Sequence, residues 1–494
     1  IHFPQSLDLR QEAFRRLSFE EFLIFQLPLV LRKIQKQKNP GLAHRVEGGV
    51  VNNFIQSLGF ELTASQKEVI QEIKTDMAQP FTMHRLLQGD VGSGKTVVAT
   101  IAALIAIQGG YQAAFLVPTE ILAKQHYNKI SCQLSAVSCQ LKDIKLGLLT
   151  SSSGSKEKTK IYQEIKKGEI NLVIGTHALL EAAVEFKNLG LVVIDEQHKF
   201  GVGQRALLPQ KGPKADVLIM TATPIPRTLA ITLYGDLDAS IIRQLPAGRQ
   251  PITTQWIKSE KRGWLYNFIK ENVRQGKQAY IVYPLIEESY NLDLLSAKKM
   301  YNQLKEGVFK ELQVGLIHGR LKPKEQDKVM LDFQSGKTQV LIATTVLEVG
   351  IDIADAAVMV VEHADRFGLS QLHQLRGRIG RGKYASTCIL ISDSDTPEVE
   401  SRLAAMVEHS DGFRIAEEDL KIRGPGEFFG RRQHGLAELK IANPLTQMQL
   451  LKRAREEAIK IINSDPDLKL KPNLALKEKL LQRFPEYEKL IMVG

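Results

Sequence analysis

Apolar spacing along the 494 residues changes character twice. From residue 1 to about 60, runs such as Leu9-Arg10-Gln11-Glu12-Ala13-Phe14-Arg15-Arg16-Leu17 and Glu20 to Leu27 repeat apolar positions at helical spacing, interrupted by Gly48-Gly49 and Gly59. From residue 62, short apolar runs that end in polar, Gly or Pro residues alternate with helical stretches. The first series is Leu86-Leu87, Ala113 to Val117, Leu172 to Ile174, Leu191 to Ile194 and Val217 to Met220. The second is Ala279 to Val282, Val314 to Ile317, Val340 to Ala343, Ala357 to Val361 and Cys388 to Ile391. Strands that read as continuous apolar runs are buried on both faces, and alternation with helices predicts a parallel α/β sheet.

Two series predict two α/β lobes, joined through Leu245-Pro246-Ala247-Gly248-Arg249-Gln250-Pro251, a Pro- and Gly-bearing linker. After residue 393 the pattern turns mainly helical, with a Gly/Pro-rich interruption at 424 to 435. The expected division is a helical connector over 1–61, lobes over 62–245 and 246–392, and a C-terminal helical region over 393–494.

Composition narrows the class. Hydrophobic residues at 43% and charged residues at 24% are globular proportions. Sixty-six Lys and Arg against 55 Asp and Glu leave a net charge of +11, which favours polyanionic partners without specifying one. Cys132, Cys139 and Cys388 are an odd number with no CxxC pair, which argues against a disulfide framework or structural zinc and for a reducing cytoplasm. No apolar run reaches the roughly 18–20 residues of a membrane span, so no membrane partner is expected. The start at Ile1 does not read as a signal peptide, and an upstream part is expected to be missing.

Against that background, Gly89-Asp90-Val91-Gly92-Ser93-Gly94-Lys95-Thr96 fits the phosphate-loop pattern GxxxxGK[ST], between a short apolar run and a helical segment. Its glycines allow backbone N–H groups to face phosphates, and the following helix adds its positive end. Lys95 is placed to neutralise β/γ-phosphate charge and Thr96 to ligate Mg²⁺, making ATP and Mg²⁺ the expected cofactors. Asp195-Glu196-Gln197-His198 closes the run Leu191 to Ile194, at the strand end where open α/β sheets bind ligands. Asp195 is the second candidate for the Mg²⁺ shell. Glu196 is the candidate to orient or deprotonate the attacking water.

These motifs together resemble superfamily 2 helicases, which implies two tandem RecA-like domains. Within that resemblance Gln66 matches an adenine-sensing glutamine. Pro118-Thr119-Glu120 and Gly175-Thr176-His177 resemble strand-end contacts to a nucleic-acid backbone. Thr221-Ala222-Thr223-Pro224 resembles the motif that couples nucleotide state to DNA contact, a role His198 would share. The stretch from Ala343 to Asp352, including Thr344, Gly350 and Asp352, resembles motif V: Thr344 falls on the DNA side, Gly350 and Asp352 on the nucleotide side. Gln374 to Gly382 resembles motif VI, whose Arg378 and Arg381 are candidates to stabilise charge on the transferred phosphoryl group, Arg381 first. Binding of DNA phosphate, or pairing with carboxylates, is the alternative role for either arginine.

Longer stretches are more specific. Asp195 to Val202, Met220 to Thr228, Asp365 to Gly382 and Asp411 to Glu427 are similar to the RecG family of branched-DNA translocases. The last of these, continuing to Gln433-His434-Gly435, resembles a translocation hairpin, about 411–435, that RecG shares with the transcription-repair coupling factor. Phe413, Ala416 and Leu420 fall on one helical face there, and Gly424-Pro425-Gly426 predicts a sharp helix end. Arg423 and Gln433 are the residues expected to act on DNA. Lys199 departs from the family's usual Arg, which implies altered coupling. The resemblance implies an ATP hydrolase that remodels stalled forks and Holliday junctions in recombination and repair. It further implies a monomer of the bacterial cytosol, single-stranded-DNA-binding protein as a partner, and an upstream wedge domain. Two alternatives stay open: a transcription-repair coupling translocase, and a DNA-binding scaffold with a regulatory nucleotide site.

Overall fold

The computed structural model describes residues 5–38, 40–135, 144–196, 199–200, 202–222, 237–246, 250–284, 298–344, 353–423, 439–444 and 446–484. Two parallel sheets dominate it. The first holds β1 (His84–Gly89), β2 (Gln112–Leu116), β3 (Leu146–Leu149), β4 (Leu172–Gly175), β5 (Leu189–Asp195), β6 (Asp216–Thr221) and β7 (Asp238–Ile242), in the order β3-β4-β2-β5-β6-β1-β7. The second holds β8 (Ile252–Ile257), β9 (Gln278–Val282), β10 (Val314–Ile317), β11 (Val340–Ala343), β12 (Ala356–Val361) and β13 (Ser386–Ile391), in the order β10-β11-β9-β12-β13-β8. Every predicted strand is present. Three unpredicted strands, β3, β7 and β8, each lie at a sheet edge.

The apolar runs form strands because both faces of the central ones are covered. In the first lobe Leu87, Phe115, Val193 and Leu218 pack to one side and Leu86, Leu116, Ile194 and Ile219 to the other. The second lobe repeats the arrangement, with Tyr280, Met359 and Leu390 on one side and Ile281, Val360 and Ile389 on the other. Because all strands within a sheet run the same way, their C-terminal ends share one lip. The phosphate loop follows β1 there, and Asp195 and Thr221 close β5 and β6.

A third core joins the two ends of the chain. The helix Leu7–Lys38 buries Phe25, Leu27 and Val30 against Ala458 and Ile462 of the helix Met448–Ser464 and against Leu480. Glu21 of the first helix accepts hydrogen bonds from the backbone N–H groups of Lys440, Ile441 and Ala442 (2.8–2.9 Å) and from Arg483 (2.7 Å). The expected helix at 411–423 is Gly412–Arg423. Its buried side includes Ile415 beside Ala416 and Leu420, whereas Phe413 is half-buried. Among the described residues, no helix is long and apolar enough to cross a membrane.

Candidate nucleotide site between the lobes

The phosphate loop turns through Gly92 (φ 80°) and Gly94 (φ 90°), left-handed positions that suit glycine, and the helix Lys95–Gln108 begins at once. A Cβ on Gly94 would run into the Gln66 amide. Gln66 itself closes a capping box with Thr63 (2.8 and 3.2 Å) and donates from Nε2 to the Ser93 carbonyl at 2.8 Å. One end of its amide therefore braces the loop while the other caps the helix Ala64–Met77. Lys95 is buried and donates to the Gly89 and Asp90 carbonyls at 2.8 and 2.9 Å. Burial lowers its pKa, against the opposing pull of Glu196, Asp195 and Asp90. The buried Ser93 hydroxyl has no partner. A curled loop, an inward ammonium and an unsatisfied hydroxyl fit a polyphosphate.

Asp195 is buried at the end of β5, with Oδ2 3.3 Å from His126 Nε2. Glu196 follows in the left-handed region (φ 50°), a conformation that costs a non-glycine residue on the order of 1 kcal/mol. The Ala222 N–H hydrogen-bonds its carboxylate. Burial raises the Glu196 pKa to about 7, aided by the Asp195 charge and opposed by Lys95 and Arg378. Among the described residues no group of three or more His, Cys, Asp or Glu could hold a metal. Thr96 and Asp195 suit Mg²⁺, which needs only one or two protein ligands when phosphate oxygens complete its shell.

The second lobe closes over this loop. Arg378 is buried, and its charge acts on Glu196, while that of Arg381 acts on Lys95. Arg381 Nε donates to the Gly377 carbonyl at 3.1 Å. The structure thus brings the two arginines, Glu196 and the phosphate loop to one cleft. A further interlobe pair, Lys124 with Asp327 at 2.5 Å, lies between the helices Glu120–Ser135 and Pro323–Gln334.

Three residues at the cleft were not singled out by the sequence. His126 touches Asp195 and packs on Phe115 with ring centroids 5.2 Å apart. His373 reaches Asp90 across the cleft at 2.5 Å, and Arg376 donates to His373 Nδ1 at 3.0 Å. The i,i+3 spacing of His373 and Arg376 hinted at a shared helical face. Their partners, distant in sequence, left no local signal.

The expected nucleic-acid contacts are less open. Thr119 caps its helix through the Leu122 N–H (3.4 Å), and Pro118 is half-buried. Thr176 and Thr344 are buried, their hydroxyls have no partner, and their N–H groups already donate to Leu149 and Ile317. Neither presents a donor to solvent in this state. Thr221 is buried at the end of β6. His198, Thr223, Gly350, Asp352 and Gln433 lie outside the described residues, and Arg423 is described only as the last residue of its helix.

Comparison with known proteins accords with this geometry. Residues 63–231 match the DEAD/DEAH box helicase family, 260–383 the helicase conserved C-terminal domain, and 409–489 the C-terminal part of domain 3 of ATP-dependent DNA helicase RecG. A solved structure of RecG bound to a three-way DNA junction is 44% identical, with a TM-score of 0.74 over 91% of this chain and 58% of that one. Yeast Dbp5 bound to RNA and ADP BeF3, at 17% identity and a TM-score of 0.54, shares the fold. The ATP-dependent DNA helicase RecG of Synechocystis is 46% identical over 492 residues, and the chain spans 58% of that relative's length. The Bacillus subtilis RecG is also 46% identical, over 484 residues that cover 98% of this chain and 70% of the relative. With that coverage and identity, the chain belongs to the RecG family of ATP-dependent DNA helicases.

Proposed function

We propose that this chain is the ATP-hydrolysing motor of a double-stranded-DNA translocase that remodels stalled forks and branch-migrates Holliday junctions. The observation that carries the reading is the meeting of a complete phosphate loop with Glu196 on one side and Arg378 and Arg381 on the other. ATP with Mg²⁺ supplies the phosphoanhydride whose hydrolysis drives the cycle. Lys95 leaves the Gly89 and Asp90 carbonyls for β/γ-phosphate oxygens, and Thr96 and Asp195 hold the metal. Glu196 orients and deprotonates the attacking water. Arg381, with Arg378, stabilises the charge that spreads over the transferred group. Gln66 senses adenine, and Gly350 and Asp352 complete the nucleotide contacts.

On the DNA side Pro118 and Thr119 hold the backbone, joined by Thr176 and Thr344 once movement of the lobes uncovers their hydroxyls, and His198, Thr221 and Thr223 couple it to the nucleotide. Opening and closing of the lobes then drives Arg423 and Gln433 along the duplex. The three-way junction held by the 44% identical relative supports branched DNA as the substrate. The match of 409–489 to a RecG model favours this reading over a transcription-repair coupling translocase. Action as a monomer in the bacterial cytosol, with single-stranded-DNA-binding protein as a partner, rests on family resemblance.

ATP turnover measured with and without a model fork tests the assignment. DNA stimulation is expected, falling steeply with salt as phosphate contacts are screened. Lys95→Ala is expected to abolish it. Hydrolysis at the wild-type rate by Lys95→Ala in the presence of DNA would make the reading wrong, and a chain that binds nucleotide but never turns it over would instead be a scaffold.

A further inference from the structure

We propose that Asp90 and His373 are a positioning pair that reports the state of the phosphate loop to the helix Gly412–Arg423. This inference rests on the motor reading above and adds the mechanical link between its nucleotide and DNA sides.

The pair joins parts of the chain that sequence keeps far apart. His373 Nε2 lies 2.5 Å from Asp90 Oδ1, and the other carboxylate oxygen accepts the Gly412 N–H, a longer contact at 3.4 Å. A guanidinium can only donate, so the 3.0 Å bond from Arg376 Nη2 makes His373 Nδ1 an acceptor. The proton of the neutral ring is then on Nε2 and points at Asp90. Arg376 also donates to the carbonyls of Met406 and His409 (both 2.8 Å) and Ser410 (3.0 Å), the residues that lead into the helix. One carboxylate thus touches the start of that helix directly and, through two side chains, the segment before it.

The other end of the link is the phosphate-sensing lysine. Lys95 Nζ donates to the backbone carbonyl of Asp90, whose own carboxylate also accepts the Val91 N–H at 2.6 Å. When Lys95 turns to phosphate, the carbonyl of Asp90 gives up one of its two donors and keeps the Ser93 N–H at 3.1 Å, so Asp90 moves with the loop. A carboxylate this enclosed cannot leave its partners for water without cost, so movement of the loop is transmitted rather than absorbed. Burial opposes ionisation of Asp90, yet the hydrogen bond from His373, the Val91 N–H and the Lys95 charge hold its pKa below the ordinary carboxylate value, so the link stays charged at neutral pH.

The test is amide hydrogen exchange across 412–415 of the full chain, with and without AMP-PNP and Mg²⁺. Wild type is expected to change its exchange rate there by about fivefold or more on binding the analogue. His373→Ala is expected to lose that response while still binding AMP-PNP. His373→Gln is expected to recover it, because an amide can donate to Asp90 and accept from Arg376. Fork unwound per ATP consumed falls in His373→Ala by a similar factor. Should His373→Ala melt early, Asp90→Ala, which removes the acceptor altogether, serves as the second variant, and its response is also expected to vanish. A response that survives His373→Ala or Asp90→Ala overturns the proposal, as does a wild-type chain that binds the analogue without any response. Absence of DNA-stimulated hydrolysis in wild type is a separate result and overturns the motor reading itself.

Discussion

Gly377 of the second lobe faces Val91 of the phosphate loop so closely that a Cβ added to it would lie 2.7 Å from the Val91 Cβ and 3.0 Å from both γ-carbons. Bare backbone at this point is what lets the lobes meet. Gly377→Ala is expected to hold them apart and lower ATP turnover by about 10²-fold, the scale of an ångström-sized misplacement of catalytic groups. Each lobe keeps its own core, so the melting temperature changes little. Adding Val91→Gly restores clearance and should recover part of the turnover. Steady-state hydrolysis of the single and double variants, with thermal melts alongside, checks this.

His126 Nε2 stands 3.3 Å behind Asp195 Oδ2, the carboxylate proposed to hold Mg²⁺. Removing such an outer partner commonly costs about 10–100-fold in metal affinity or activity. His126→Ala is therefore expected to raise the Mg²⁺ concentration needed for half-maximal hydrolysis by about tenfold. Binding of ADP without metal should be unchanged. A Mg²⁺ titration at saturating ATP distinguishes this from a general loss of folding.

Glu196 has a folded pKa of about 7 against an ordinary 4.5, so the fold disfavours its ionised form. For an acid with a raised pKa, stability is highest while the group is neutral and falls as pH rises from the unfolded value through the folded one. Glu196→Gln mimics the neutral form. Without metal or nucleotide, the variant is expected to match wild type near pH 4 and to exceed it above pH 7 by about 2–3 kcal/mol. Denaturant melts across that range check the sign. Loss of hydrolysis in the same variant would accompany the gain in stability.

Glu21 ties the first helix to the segment 440–442, just after the region expected to engage DNA. Burial works to raise its pKa, but three backbone N–H groups and Arg483 outweigh that and lower it. Its contribution to stability is therefore present above the unfolded carboxyl pKa and lost as pH falls through the folded one. Glu21→Ala leaves those N–H groups without their acceptor and is expected to destabilise the chain by about 2–4 kcal/mol. Glu21→Gln, which can satisfy some of them, should lose less. Thermal melts of the two variants at neutral pH rank the outcomes.

How much of this was legible in sequence depends on whether a residue's role is local. Interior strands such as Leu191 to Ile194 show themselves because burial on both faces demands an unbroken apolar run. The unpredicted β3, β7 and β8 are edge strands, where one flank meets no neighbour and polar residues are tolerated. Ile252-Thr253-Thr254-Gln255-Trp256-Ile257 is half apolar and gives no such run.

The sequence by itself determined the two parallel sheets and the chemistry of the loop from Gly89 to Thr96, because hydrogen-bond geometry and strand burial act over a few residues at fixed spacing. Tertiary structure decided which residue meets which: His373 on Asp90 and Gly377 on Val91 across the cleft, and His126 on Asp195 within the first lobe. Those pairings depend on how two separately folded sheets and their helices pack. Nothing in the spacing along a chain records the distance between residues 283 positions apart.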